Sequence, residues 1–180
     1  GSKGVGKTKF LKEMAYLLRM KGREVYNIEI TPNNCIELTP ITNILRQTIK
    51  DTPKNIVEKY GREFIGIMPE IKFMIDNKIL NESNINGNRF RLYDRITNYF
   101  EDLTKYKDDF IYLIIDNIDE ASTDFLYLID YLVRNISYGK LILIVSYNEK
   151  AISSNSNKCN IITGWLKENY VENVILSDLN

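Results

Sequence analysis

Apolar residues recur along this chain with two different spacings, which predict alternating helices and strands. Residues 7–20 and 89–105 carry apolar side chains at helical spacing. Residues 25–30 are predicted to form a strand, and the continuously apolar runs at 110–115 and 141–145 are typical of strands buried on both faces of a parallel sheet. We therefore predict an α/β fold, a three-layer sandwich with a mostly parallel sheet.

Between the first two predicted strands the pattern is weaker. Thr39 followed by Pro40 favours a helix that begins there, with Thr39 as its N-cap. Helical pieces are predicted at 55–60 and 69–76, and the polar residues 81–88 predict a solvent-exposed loop. We expect residues 51–88 to decorate the core and not to carry chemistry.

The last third of the chain continues the alternation. Ser122 is predicted to cap a helix that ends near Gly139. A short helix is predicted around Trp165, and residues 171–176 are predicted to form a last strand. With no internal repeat and no second domain visible, residues 1–180 are predicted to form one domain.

The first eight residues, GSKGVGKT, match G-x-x-x-x-G-K-[ST], the phosphate-binding loop of P-loop NTPases. Glycines let backbone N–H groups turn towards a phosphate, and the following helix directs its positive end at the same anion. Lys7 would reach the β- and γ-phosphates, and the Thr8 hydroxyl would bind Mg²⁺. The predicted cofactor-binding residues are Gly1, Ser2, Lys3, Gly4, Val5, Gly6, Lys7 and Thr8. Two alternatives stay open, a glycine-rich turn before a helix and an expression scar at the first two positions.

An acidic residue directly follows the apolar run at 110–115. Asp116 stands where P-loop NTPases carry their Walker B carboxylate, at the carboxyl end of a buried strand. A carboxylate there can hold Mg²⁺ through water, opposite Thr8. We therefore predict a metal site formed by Thr8 and Asp116. The alternative is an Asp that ends a strand by turn preference alone.

Composition narrows the classes of function. Lys+Arg and Asp+Glu are both 24, so no global field would attract nucleic acid or an anionic membrane. The apolar run at 110–115 is too short to span a bilayer. The chain has no His, which removes a Ser-His-Asp triad and Cys–His catalysis. Cys35 and Cys159 lie far apart, and two free thiols fit a reducing cytoplasm.

Taken together, the motifs resemble the ATPase domains of the AAA/STAND type, especially the origin-recognition-like AAA ATPase domains of bacterial signalling proteins. The resemblance is carried by GSKGVGKT, RLYDRITNYF, LIIDNIDEAS and LILIVSYN. It implies a cytoplasmic module that binds Mg·ATP, with slow hydrolysis at most, and acts as a regulatory switch in a larger signalling or transcription-regulating protein. The implied partners are ATP or ADP, other domains of the same full-length chain and, in a homo-oligomer, further copies. Neither a membrane nor nucleic acid is indicated as a partner.

The resemblance also assigns candidate catalytic residues, which are Asn117, Glu120 and Ser146. Relatives end the strand matched by LILIVSYN in a polar sensor, which points to Ser146 first and Asn148 second. They usually carry a second acid directly after the Walker B Asp, whereas this chain has Asn117. An amide can position a water but cannot accept its proton, which argues for slow hydrolysis. Asp119 and Glu120 are the alternative acids.

Other family features stay open. Arg134 is either an arginine finger that acts across an oligomer or a solvated cation at a helix end. Relatives have a strand leading into the phosphate loop and a helical lid after the last strand, and residues 1–180 are expected to be a fragment without either. The alternative functions are an active AAA-type motor or DNA-associated initiator-like ATPase, and a scaffold with a vestigial nucleotide site.

Overall fold

The described part of the chain contains a sheet of three parallel strands. The computed structural model describes residues 4–76, 89–137, 140–153, 156–169 and 171–176. Within these ranges β1 (Glu24–Glu29), β2 (Ile111–Asp116) and β3 (Leu141–Val145) lie side by side in that order, with β2 in the middle. The predicted α/β class with a parallel sheet is confirmed. The predicted loop at 81–88 lies outside the described residues. Gly139 does too, but the helix predicted to end near it already ends at Asn135.

Helices connect the strands, as the apolar periodicity predicted. In the described ranges they are α1 (Lys7–Met20), α2 (Thr39–Ile49), α3 (Lys54–Phe64), α4 (Arg89–Lys107), α5 (Thr123–Asn135), α6 (Glu149–Ser153) and α7 (Ser156–Trp165). Two 3₁₀ turns occupy Pro69–Phe73 and Ile118–Glu120. The second of these turns follows β2 directly and shapes the carboxyl edge of the sheet.

Helix starts agree only in part with the prediction. Ser122 is the N-cap of α5, and its Oγ accepts a hydrogen bond from the backbone N–H of Phe125 at 3.2 Å. Pro40 lies in the first turn of α2, where its missing donor costs nothing. Thr39, however, is the first helical residue, and Leu38 occupies the N-cap position without a side-chain bond.

Residues 171–176 do not form the strand predicted for them. They have no regular secondary structure, and Val174 and Ile175 are 65% and 75% exposed. A strand needs a neighbour for its backbone hydrogen bonds, and none of the three described strands pairs with this segment. The prediction was wrong because an apolar run leads to a buried strand only where the fold supplies a partner.

The sheet buries its two faces in clusters of very different size. One face packs against α2, α3, α4 and α5 in the main core, to which β2 contributes alternate residues such as Leu113. On the opposite face a small cluster brings Leu11 and Ala15 of α1 against Val25 and Ile114. Side chains alternate across a strand, so the strand positions between the main-core residues face α1. Helices therefore cover both faces of the sheet, which is a layered α/β arrangement.

Tyr99 joins α4 to α2 through a buried hydroxyl group. Its side chain is fully buried, and the hydroxyl lies 2.7 Å from Thr48 Oγ1 and 2.8 Å from Thr52 Oγ1. Burial raises the pKa of Tyr99 to about 12, so the phenol stays protonated at neutral pH. A buried polar group of this kind is tolerated because its hydrogen bonds are made inside the core.

We expect Tyr99→Phe to lower the free energy of unfolding by about 1–3 kcal/mol, because two threonine hydroxyls lose their buried partner. Tyr106→Phe is the matched control on the same helix, where the side chain is 58% exposed. It should change stability by less than about 0.5 kcal/mol. Urea denaturation measures both variants, and equal effects would contradict the role assigned to the buried hydroxyl.

Candidate functional site

The backbone before α1 turns through two glycines with positive φ. Gly4 has φ +94° and Gly6 has φ +89°, a region that residues with a side chain rarely adopt. Gly6 is the N-cap of α1, and its carbonyl accepts a hydrogen bond from the N–H of Phe10 at 2.9 Å. Lys7 and Thr8 are the first two helical residues, and both are half-buried. Three predicted binding residues lie outside the described ranges, namely Gly1, Ser2 and Lys3.

The carboxyl ends of β2 and β3 bring Asp116 and Ser146 together. Asp116 is the last residue of β2, and Ser146 follows β3 directly. The hydroxyl of Ser146 donates a hydrogen bond to Asp116 Oδ1, and the backbone N–H of Asn117 donates to the same oxygen at 3.1 Å. The Ser146 backbone extends the pairing of the strands, because its N–H donates to the carbonyl of Ile115 at 2.9 Å. The predicted sensor residue and the predicted metal ligand are therefore in direct contact.

The second carboxylate oxygen of Asp116 is left without a partner. The residue is only 5% exposed, yet Oδ2 makes no hydrogen bond. Among the described residues no other buried side-chain oxygen or nitrogen lacks one. An unpaired carboxylate oxygen in a buried place carries a large desolvation cost. Such an atom calls for an explanation, and a bound ion is one of the usual ones.

Asp116 lies at the floor of a cleft between α1 and the sheet, which we call the α1 cleft. Its lining consists of Thr8, Leu11, Lys12, Ala15, Asn27, Ile28, Glu29, Ile114 and Asp116. The volume is about 50 Å³, and since about 10–15 Å³ holds one water, the cleft has room for an ion with water. The two predicted metal ligands, Thr8 and Asp116, therefore line the same cleft although more than a hundred positions separate them in the chain.

The backbone conformation at position 117 explains why an asparagine stands there, in addition to the chemical role predicted for it. Its φ is 58°, in the left-handed region where Asn is more frequent than other residues with side chains. The side-chain Nδ2 lies 3.5 Å from the carbonyl of Ile30, at the end of β1. The backbone N–H also lies 3.0 Å from Ser146 Oγ. A glutamate at 117 would adopt this backbone conformation less readily than asparagine does.

The remaining acids that follow β2 lie away from the α1 cleft. Glu120 is exposed in the 3₁₀ turn. Asp119 Oδ1 accepts a hydrogen bond from the backbone N–H of Asn148 at 2.9 Å, and the Asp119 carbonyl accepts one from Lys158 Nζ at 2.7 Å. These bonds fasten the turn after β2 to the segment after β3. None of these four residues lines the cleft.

Arg134 lies in the last turn of α5, the helix that runs from the carboxyl end of β2 back to the start of β3. Its Nε is 2.9 Å from Asp130 Oδ1, and its Nη1 is 2.7 Å from Glu168 Oε1. Within one chain it is therefore remote from Asp116. A role as an arginine finger across an oligomer stays a prediction.

Two cleft residues were missed by the sequence analysis, Glu29 and Lys12. Glu29 is the last residue of β1 and pairs with Asp116 in the register of the sheet. Its Oε2 lies 3.8 Å from Lys12 Nζ on α1. The available signal was an acid at the end of a predicted strand, because parallel strands place their carboxyl ends at the same edge.

No protein-family model matches this chain, and no curated protein sequence matches it at a significant level. Among the helices of the described residues, none combines the length and the apolar composition that a membrane span requires. The described side chains also hold no group of three or more His, Cys, Asp or Glu residues arranged to bind a metal. The Asp116 carboxylate and the Thr8 hydroxyl line one cleft, and Mg²⁺ can bind through few protein ligands when water fills its other positions.

We expect Asp116→Asn and Ser146→Ala to act on stability in opposite ways when divalent cations are removed by EDTA. Asp116→Asn replaces a partly unsatisfied buried charge with a neutral amide, so the free energy of unfolding should stay constant or rise. Ser146→Ala takes a donor away from that charge and should cost about 1.5–3 kcal/mol. Urea denaturation measures both.

The double variant separates this explanation from general damage to the strand end. In the Asp116→Asn background the cost of Ser146→Ala should fall to about 1 kcal/mol, the value for a bond between neutral groups. Additive costs would show that the two side chains do not depend on each other. A large loss of stability in Asp116→Asn alone would contradict the unpaired state of Oδ2.

Proposed function

We propose that this domain binds Mg·ATP at the start of α1, with the metal ion in the α1 cleft, and acts as a nucleotide-dependent regulatory switch within a larger chain. The observation that carries the proposal is the buried, unpartnered Oδ2 of Asp116, which lines the same cleft as Thr8 at the start of α1. A buried oxygen without a partner inside the protein is explained if a cation binds to it.

The start of α1 supplies what a triphosphate needs. A helix of 14 residues concentrates partial positive charge at its first N–H groups. Gly4 and Gly6 place the preceding backbone in a conformation in which amide groups can turn toward an anion. Lys7 stands at the first helical position and would contribute its ammonium group to the β- and γ-phosphates.

Thr8 and Asp116 fit the requirements of a magnesium ion. Both side chains present oxygen, and Mg²⁺ binds through few protein ligands while it keeps several waters. When bound, the ion would neutralise charge on the phosphates and orient them. Ser146 holds the other oxygen of Asp116, so the orientation of the carboxylate is fixed from the β3 side.

The contacts of Ser146 connect Asp116 to the segments that follow β2 and β3. Ser146 bonds Asp116 through its side chain, and its carbonyl accepts a hydrogen bond from the N–H of Ile118 at 2.9 Å. Any displacement of Asp116 on nucleotide binding would therefore act on the turn after β2 and on the end of β3 together. Segments that order or move with the γ-phosphate are a common basis for switching.

The AAA/STAND assignment and slow hydrolysis belong to the same proposal. In that family a further strand leads into the phosphate loop, and here it would pair beside β3, whose side chains are partly exposed along the whole strand. Asn117 would position the attacking water without accepting its proton, which limits the rate. None of the predicted catalytic residues Asn117, Glu120 and Ser146 lines the α1 cleft. Ser146 and Asn117 bond to Asp116, whereas Glu120 is exposed and is the weakest of the three candidates.

Lys7→Ala tests the proposed function directly. We expect it to weaken binding of a fluorescent ATP analogue with Mg²⁺ by at least about tenfold, because the cation that would contact the phosphates is removed. Fluorescence titration measures the affinity. The rise in melting temperature caused by Mg·ATP should shrink in parallel, since a ligand that binds the folded state must stabilise it.

Lys9→Ala is the matched control, because Lys9 is an exposed lysine in the same turn of α1. It should retain the affinity of the unchanged chain. Unchanged nucleotide affinity in Lys7→Ala, or no affinity in the unchanged protein, would overturn the nucleotide-binding proposal.

A further inference from the structure

Glu29 places a second carboxylate beside Asp116 on the same face of the sheet. The two residues are register partners at the ends of β1 and β2. Val25 and Ile114 of these strands face α1, and positions an even number of residues further on face the same way. Glu29 and Asp116 therefore both point to the α1 side, and both line the α1 cleft.

The unpartnered oxygen of Asp116 indicates where a ligand would sit in this pair. Asp116 is buried, with only 5% of its surface exposed, and its Oδ2 has no hydrogen-bond partner. Glu29 is different, because its side chain is 47% exposed at the rim of the cleft. One carboxylate is thus buried and fixed by Ser146, whereas the other can reach water and a ligand at the same time.

Other acids at this edge are worse placed for work in the cleft. Asp119 already accepts the backbone N–H of Asn148, and Glu120 is exposed outside the lining. Position 117 holds an amide, which cannot take a proton from water. Glu29 is therefore the described acid that shares the cleft with both Thr8 and Asp116.

We propose that Glu29 is a catalytic residue that orients the attacking water for ATP hydrolysis, in the role that Asn117 cannot complete. The inference rests on the proposed Mg·ATP site. The water oxygen forms a bond to the γ-phosphorus, and the bond between that phosphorus and the bridging oxygen breaks. The bridging oxygen keeps the electron pair as ADP leaves. The proton released by water passes to the Glu29 carboxylate and then to solvent.

Lys12 offers a purely structural explanation that the test must separate from this one. Its Nζ lies 3.8 Å from Glu29 Oε2, and the two side chains are 70% and 47% exposed. Exposed ion pairs at such a distance contribute little to stability. Glu29 is therefore not explained by its pairing with Lys12, and a variant of Lys12 can remove the pair while it keeps the carboxylate.

Glu29→Gln in the full chain is the deciding variant. We expect the rate of phosphate release at saturating Mg·ATP to fall about 100-fold, the lower end for loss of a general base. Affinity for a fluorescent ATP analogue should stay within about twofold, because the glutamine keeps the shape of the side chain. Mg·ADP with aluminium fluoride imitates the transferring phosphoryl group and its water. The rise in melting temperature caused by this complex should be smaller in Glu29→Gln, whereas the rise caused by Mg·ADP alone should be unchanged.

Two controls accompany this variant. Glu13→Gln changes an exposed acid of α1 that lies outside the cleft lining and should leave turnover and affinity unchanged. Lys12→Gln removes the ion pair and a cation that lines the cleft but keeps the Glu29 carboxylate, so its turnover at saturating Mg·ATP should stay well above that of Glu29→Gln. A loss of similar size in Lys12→Gln would assign the effect to the pair and overturn the role of Glu29.

The remaining outcomes separate the two proposals. Nucleotide binding with normal turnover in Glu29→Gln overturns the catalytic role and leaves the binding site intact. The catalytic role is also overturned if the unchanged protein binds nucleotide but releases phosphate no faster than Lys7→Ala does. In that case there is no hydrolysis for a water-orienting acid to assist. Loss of nucleotide affinity in Glu29→Gln would make Glu29 a binding residue instead. Absence of binding in the unchanged protein overturns both.

Discussion

The carboxyl edge of the sheet depends on one buried carboxylate that is satisfied on one side only. Asp116 Oδ1 accepts hydrogen bonds from the Ser146 hydroxyl and the Asn117 backbone, which hold β3 and the following turn against β2. Oδ2 has no partner. A buried charge in this state is stabilised by a cation or donor that completes it, and is costly without one. A cation bound at Oδ2, as we propose, would therefore lower the cost of this buried carboxylate.

The convergence of acidic side chains follows from strand register and alternation. Parallel pairing sets Glu29 next to Asp116 and continues β3 into Ser146. The three side chains fall on the face that α1 covers only with a small apolar cluster. The opposite face carries the main core, in which polar groups such as the Tyr99 hydroxyl find their partners inside the protein. Asp116 and Ser146 are nevertheless buried on this face, whereas Glu29 keeps access to water.

Much of this architecture follows from the sequence by elementary rules. Continuous apolar runs and helical spacing were sufficient for the parallel α/β class and for most helices, because burial dictates both patterns. Asp116 and Thr8 were predicted from their motifs, and the structure places them in one cleft. Residues 171–176 show the limit, since an apolar run does not reveal whether a neighbouring strand exists. Glu29 was missed for a related reason, because strand register is a long-range property. The left-handed backbone of Asn117 was hidden as well, since one residue rarely discloses its own φ.

Pairing of β1 with β2 has a consequence for how the chain acquires its form. Residues 24 and 111 are neighbours in the sheet, while α2, α3 and α4 all lie between them in the chain. Contacts of such long sequence separation slow folding, because the entropy of closing the intervening loop is lost before the contacts stabilise the chain. At a synthesis rate of about 5–20 residues per second, several seconds pass between the synthesis of β1 and that of β2. During that interval the open edge of β1 is exposed to pairing with other chains, and the helices that follow it are the first elements able to shield it.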